Sequence, residues 1–296
     1  MPYAGELSAL LSACLWAGSA LVFTDAIRRV GSFQVNITRL ILASIYLLIF
    51  IMILGFEIKL SFRQYVYLCL SGFVGLSMGD TFLFMAFREI GARVSMLIMS
   101  LAPAIAAALA YYFLGETLSV LAVTGICMTI IGICIVVFDR SGKTSDKIPI
   151  TAAGVLYALL GALGQGVSLI LVKKAFIESD VNGFVATTVR IISSLIILLP
   201  IAMMTKRFES PLKMLKKDKK AFYLTALGAV FGSFLGISFS LIAVDYTDVG
   251  VAATIMAIVP VLILPPAYFI YKEKIGWRAV SGALMAVGGV ALLFLR

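Results

Sequence analysis

Apolar residues along the chain gather into long runs, separated by short polar or basic segments at nearly even spacing. Ten runs stand out, at 6–27, 33–55, 65–87, 92–113, 119–138, 150–172, 184–204, 221–244, 249–271 and 276–295. Each is close to the ~20 residues that cross ~30 Å of hydrocarbon in a helix. None alternates as a membrane strand would, and backbone in lipid must satisfy its own hydrogen bonds, so the runs predict helices. Connections are short except for Asp139 to Pro149 and Thr205 to Lys220. The first run follows Met-Pro-Tyr-Ala-Gly-Glu, with no basic residue, and nine further runs come after it. It therefore reads as a span rather than as a cleaved leader.

The pattern repeats within the chain. At an offset of 157 residues, Gly75 falls on Gly232, Gly79 on Gly236, Ala86 on Ala243 and Pro103 on Pro260. The same offset matches Tyr111 to Tyr268, Glu116 to Glu273, Gly125 to Gly282 and Gly132 to Gly289. At 151, Phe33 falls on Phe184 and Arg39 on Arg190. Glycine, proline, glutamate and arginine held in register predict two halves, 1–140 and 141–296, of five spans each. An odd number of spans sends the second half through the membrane upside down. The fold class expected is thus an all-α integral membrane protein, ten transmembrane helices arranged as two inverted five-helix repeats. In such proteins the substrate site lies near the bilayer midplane between the repeats.

Composition strengthens this reading. The chain of 296 residues is 62% hydrophobic and 13% charged, with a mean hydropathy of +1.09. A soluble domain carries about 25% charged residues. The net charge of +9 sits between the apolar runs, not on a stripe interleaved with aromatics, so no nucleic-acid partner is expected. Odd-numbered loops hold 17 Lys and Arg, even loops and the C-terminus 5. The positive-inside rule then places odd loops in the cytoplasm and both termini outside, in a multi-pass inner (plasma) membrane protein. There is no histidine, which removes His catalysis, His ligation and a His proton relay. Cys14, Cys69, Cys127 and Cys134 all fall inside apolar runs as packing residues; no metal and no cofactor is expected.

Asp80 is the deep carboxylate, eight residues before Arg88 and so about 12 Å below that membrane face by helix rise. An ionised group there must be paired, hydrated or functional. Arg39, about 9 Å deep from the same face, is within reach by depth. Asp80 has three readings: a structural partner of Arg39, a cavity group for a cationic or zwitterionic substrate, or a proton-coupling group whose pKa burial raises. Arg190 faces Ile237 where the first half has Asp80, and is read as snorkelling or bonding backbone carbonyls. Trp16, Ser19, Asn36, Ser77, Tyr157, Gln165, Ser168 and Ser238 are polar or amphipathic groups within spans, either cavity lining or helix–helix contacts. Gly72, Gly75 and Gly79, and then Gly228, Gly232, Gly236 and Ser240, line close-packing faces. Pro103 and Pro260 sit mid-span at matched positions, as hinges or static kinks.

Several of these residues carry a family resemblance. Trp16 in Ala-Cys-Leu-Trp-Ala-Gly-Ser, Arg39 early in span two, and Ser-Leu-Ala-Pro (100–103) with Leu-Gly-Glu (114–116) resemble the EamA family of the drug/metabolite transporter superfamily. The second half echoes them in Arg190, Ala-Ile-Val-Pro (257–260) and Lys-Glu (272–273). Lys272 replaces the usual glycine, and Gln165 or a neighbour stands where Trp16 would. The resemblance spans essentially the whole chain. It implies a secondary active transporter of small metabolites, such as amino acids or organic cations, working by alternating access, with the lipid bilayer as its surroundings.

The proton is a candidate coupling ion, and both a monomer and a dimer fit the pattern. The rival reading is a flippase for lipid-linked or amphipathic substrates, which would open sideways toward lipid. An intramembrane aspartyl protease lacks its second deep carboxylate, and histidine-based enzymes lack their histidine. A channel lacks a filter-like segment or charged ring.

Overall fold

Apolar runs in this chain become helices, and the polar residues between them cap those helices. The structure, a computed structural model, describes residues 3–114, 119–137, 150–179, 181–205, 208–247, 252, 255–269 and 275–294. Glu116, Lys272, Glu273 and the Asp139–Pro149 connection lie outside them. Among the described residues every regular element is helical.

The first half holds α1 (Ala4–Val30), α2 (Ser32–Leu54), α3 (Phe62–Ser71), a π-helical segment π1 (Gly72–Gly79), α4 (Asp80–Met99), α5 (Ala102–Leu114) and α6 (Val120–Val137). The second holds α7 (Ala152–Glu178), α8 (Gly183–Met204), a short α9 (Pro211–Lys217) and α10 (Lys219–Gly228). It continues through π2 (Ala229–Gly236), α11 (Ile237–Tyr246), α12 (Val259–Leu262), α13 (Leu264–Phe269) and α14 (Trp277–Phe294). Among the described residues six stretches are long and apolar enough to cross a membrane: α1, α2, Phe62–Met99, α7, α8 and Lys219–Tyr246. Shorter apolar helices accompany them.

Side chains at the loop ends close the helices. Ser61 and Gln64 form a reciprocal capping box at α3, Thr151 accepts from the Gly154 N–H, and Asn182 accepts from Phe184 and Val185. Asp218 caps α10 through the Ala221 N–H. Gly91 (φ 76°, ψ 167°) breaks α4, so that Phe62–Met99 is two helices meeting at a turn. Only glycine adopts that backbone without strain.

The two halves share their irregularities. π1 and π2 are each eight residues long and start 157 residues apart, at Gly72 and Ala229. The fourth run of each half is interrupted by a turn, at Ser100–Leu101 and again 157 residues later at Ala257–Ile258. The sequence reading placed Pro103 and Pro260 within continuous spans. Instead each proline lies in the first turn of the helix that follows the break, where its missing N–H leaves no hydrogen bond unmade.

Packing is equally reciprocal. α1 lies against α10, π2 and α11, while α7 lies against α3, π1 and α4. α6 and α14 cross where a Cβ on Gly132 would stand 2.6 Å from Gly282 O, and one on Gly289 would stand 2.6 Å from Gly125 O. Arg29 meets Asp218 at 3.3 Å and Arg63 meets Glu178 at 3.6 Å, joining odd loops to odd and even to even. Large apolar side chains such as Met52, Ile53, Ile196 and Met204 point outward, as a lipid-facing surface requires.

Candidate functional site

A cavity of about 210 Å³ lies where the halves meet, and its wall is built from repeat-related pairs. At the 157-residue offset these include Leu83 with Ser240, Phe84 with Leu241, Phe87 with Val244, Met99 with Met256, and Pro103 with Pro260. Arg39 and Arg190 form a pair at the 151-residue offset. The structure adds an offset of 149 in the first spans, pairing Trp16 with Gln165, Ser19 with Ser168 and Phe23 with Val172.

Missing side chains allow this convergence. A Cβ on Gly236 would stand 2.7 Å from the Trp16 indole and one on Gly232 would stand 2.8 Å from Ser19 Oγ. In the other half, a Cβ on Gly75 would stand 2.5 Å from Ser168 Oγ and one on Gly164 would stand 2.9 Å from Gly79 Cα. Each π segment thus seats the first span of the opposite half. Gln165 is the structural counterpart of Trp16.

The polar centre of the cavity is a closed network. Arg39 donates from Nη2 to Asp80 Oδ2 at 2.5 Å, from Nη1 to Ser233 Oγ at 2.8 Å, and from Nε to Asn36 Oδ1 at 2.9 Å. Its guanidinium also lies 4.7 Å from the Phe84 ring centroid. Asp80 Oδ1 accepts from Gln165 Nε2 at 2.7 Å. Arg39 and Asp80 are 3% and 6% exposed, so both charges are removed from water and depend on each other. The network ties α2, the start of α4, α7 and π2 together across both halves.

Arg190 is the residue whose setting the sequence reading missed. It neither snorkels nor bonds a carbonyl. It is 5% exposed, lines the cavity, and donates from Nη2 to Ser168 Oγ at 3.0 Å. Among the described residues its Nε has no hydrogen-bond partner, and Asp80, whose charge reaches it across the cavity, bonds Arg39 and Gln165 instead. The matching of Arg39 to Arg190 and of Asp80 to Ile237 was the signal that could have found it.

Trp16, Arg39, Asp80, Gln165, Pro103 and Pro260 line the cavity; Asn36, Ser77, Tyr157 and Ser238 do not. Asn36 is fully buried and holds Arg39 while donating to Thr81 at 2.8 Å. Ser77 bonds the Ser194 hydroxyl at 2.7 Å, Tyr157 stacks on Phe82, and Ser238 is buried with no partner for its hydroxyl among the described residues. All four lie off the cavity wall, Asn36 reaching it only through Arg39; a spacing rule for one helix cannot tell a cavity from an adjacent helix. Among the described residues no cluster of His, Cys, Asp and Glu could hold a metal.

A helical membrane protein with a central cavity shared between two repeat-related sets of helices is the architecture of a solute transporter. The chain belongs to the EamA-like transporter family, whose model matches it twice, over residues 3–138 and 152–295. No curated protein matches it. A solved crystal structure is similar with a TM-score of 0.69 at 18% identity, over 99% of this chain and 96% of the other. That likeness supports the fold.

Proposed function

We propose that this chain is a secondary transporter of small metabolites, ten spans in two inverted repeats that expose one central cavity alternately to either side. The supporting observation is the cavity wall itself, composed of equivalent residues from both halves. Inverted repeats can exchange shapes, so a site between them can be opened from each side in turn. The paired breaks before Pro103 and Pro260 border the cavity and are the hinges of this reading. At about 210 Å³ the space is below the roughly 300–1,000 Å³ of drug-sized sites, which suits a small solute. Asp80 serves chiefly to hold Arg39, since both of its oxygens already accept hydrogen bonds. Both termini lie outside a plasma membrane in this reading, following the loop charges.

The test is gradient-driven uptake of a labelled metabolite panel into proteoliposomes. Ser240→Cys, made in a background lacking the four native cysteines, supplies the control. A membrane-impermeant maleimide should reach the introduced thiol and stop uptake. Folded protein that moves nothing, with that thiol unreactive from both sides, would remove the proposal.

A further inference from the structure

We propose that Arg190 is the anchor for the carboxylate of the transported solute. The inference rests on the transporter reading and deepens it by naming the chemistry of the substrate. Each half supplies one arginine to the cavity, but their surroundings differ. Arg39 has a carboxylate, a hydroxyl and an amide oxygen on its three donor nitrogens. Among the described residues Arg190 has one hydroxyl, from Ser168, and no acceptor for its Nε. At the position equivalent to Asp80 the second half has Ile237, which lines the cavity and offers no acceptor.

A buried cation with no carboxylate in direct contact is costly, and an unmade hydrogen bond adds to the cost. Asp80 is the one carboxylate among the described lining residues, and Arg39 and Gln165 occupy it. The unmet demand is therefore for an anion. A planar carboxylate suits a guanidinium, which can donate to it in bidentate fashion. In that position the solute completes in the second half the ion pair that the first half makes internally.

The rest of the wall indicates what the carboxylate is attached to. Leu83, Phe84, Met99, Pro103, Met256 and Pro260 surround the space with apolar surface. Methionine side chains repack readily around different shapes. The solute class is a small monocarboxylate with an apolar body, amino acids with apolar side chains included. The charge of the anionic end is read strictly, and the shape of the body loosely.

The test uses purified full-length protein and three related probes. 4-Methylpentanoate carries only the carboxylate, leucine carries both charges, and 3-methylbutylamine carries only the amine. Trp16 lines the cavity and Trp277 is exposed, so the fluorescence of Trp16 in a Trp277→Phe background reports occupancy directly. Binding of 4-methylpentanoate and leucine but not of the amine is expected. Arg190→Gln should weaken carboxylate binding at least about tenfold, and Arg190→Lys should restore part of it.

Ile237→Asp provides a second variant should Arg190→Gln unfold. It places a counter-ion opposite Arg190 within the chain and should abolish carboxylate binding while leaving the unliganded protein at least as heat-stable. Unchanged carboxylate binding in Arg190→Gln and Ile237→Asp overturns the inference. Binding and uptake of the amine in place of the carboxylates overturns it too, while leaving the transporter reading intact. Absence of binding and uptake for the whole panel removes both.

Discussion

Arg39 and Asp80 occupy the same cavity as Arg190, yet only the first pair is electrically complete. Asp80→Asn leaves a buried guanidinium without its counter-ion, and breaking a buried pair costs about 3–5 kcal/mol. We expect that variant to lose heat stability in detergent without any solute present. Equal stability to wild type would show that the pair contributes little to the fold. The contact was legible from the sequence because both residues lie at similar depths from the same face. Arg190 was not legible in the same way. Its hydroxyl partner, Ser168, comes from another helix, and its importance depends on what Ile237 does not provide.

Helix packing turns on where a side chain is missing. In π1, a Cβ on Gly72 would collide with the Arg190 backbone oxygen. Gly72→Ala should cost about 1–3 kcal/mol, the usual penalty for overpacking, when unfolding is followed in detergent. Gly18 in α1 has open space around it, so Gly18→Ala should leave stability unchanged or slightly raised. A loss at Gly18 comparable with that at Gly72 would mean that close contact is not the cause.

The Asp218 cap can be tested by pH. The Ala221 N–H is the main cause holding its carboxyl below the ordinary 3.8, and Arg29 assists. A carboxyl depressed on folding stabilises fully above its unfolded value and loses that contribution as pH falls through the folded one. The stability difference between wild type and Asp218→Asn should therefore be present at neutral pH and disappear in acid. A pH-independent difference would contradict the cap's charge. The glycine spacings marked the close faces in advance. The π geometry was invisible, because an extra residue per turn leaves the apolar run unchanged.

At the scale of the molecule, the repeat offsets were readable wherever glycine and proline punctuated both halves. The 149-residue register of the first spans was readable only to within a neighbour of Gln165, since Trp16 and Gln165 share no chemistry and the packing of their helices on π2 and π1 is what relates them. Which face meets the cytoplasm follows in the proposal from loop charge alone. A tag on either terminus should be cut by protease added to intact cells, and protection of both tags would invert the assignment.

A carrier built from two interchangeable halves has equal energies in its two end states only if the halves are the same where it matters. Here they differ at the cavity by two charges: Asp80 stands against Ile237, and Lys173 has Thr24 at the equivalent place in the first half. In the proposed mechanism the exchange of Asp80 for Ile237 tilts the balance between the states and sets the side on which the empty carrier rests. Exchanging the two residues, as Asp80→Ile with Ile237→Asp, should carry the ion pair to the other half. In the proposed mechanism the resting side then switches, and a thiol introduced by Ser240→Cys would be labelled chiefly from the opposite face of the membrane.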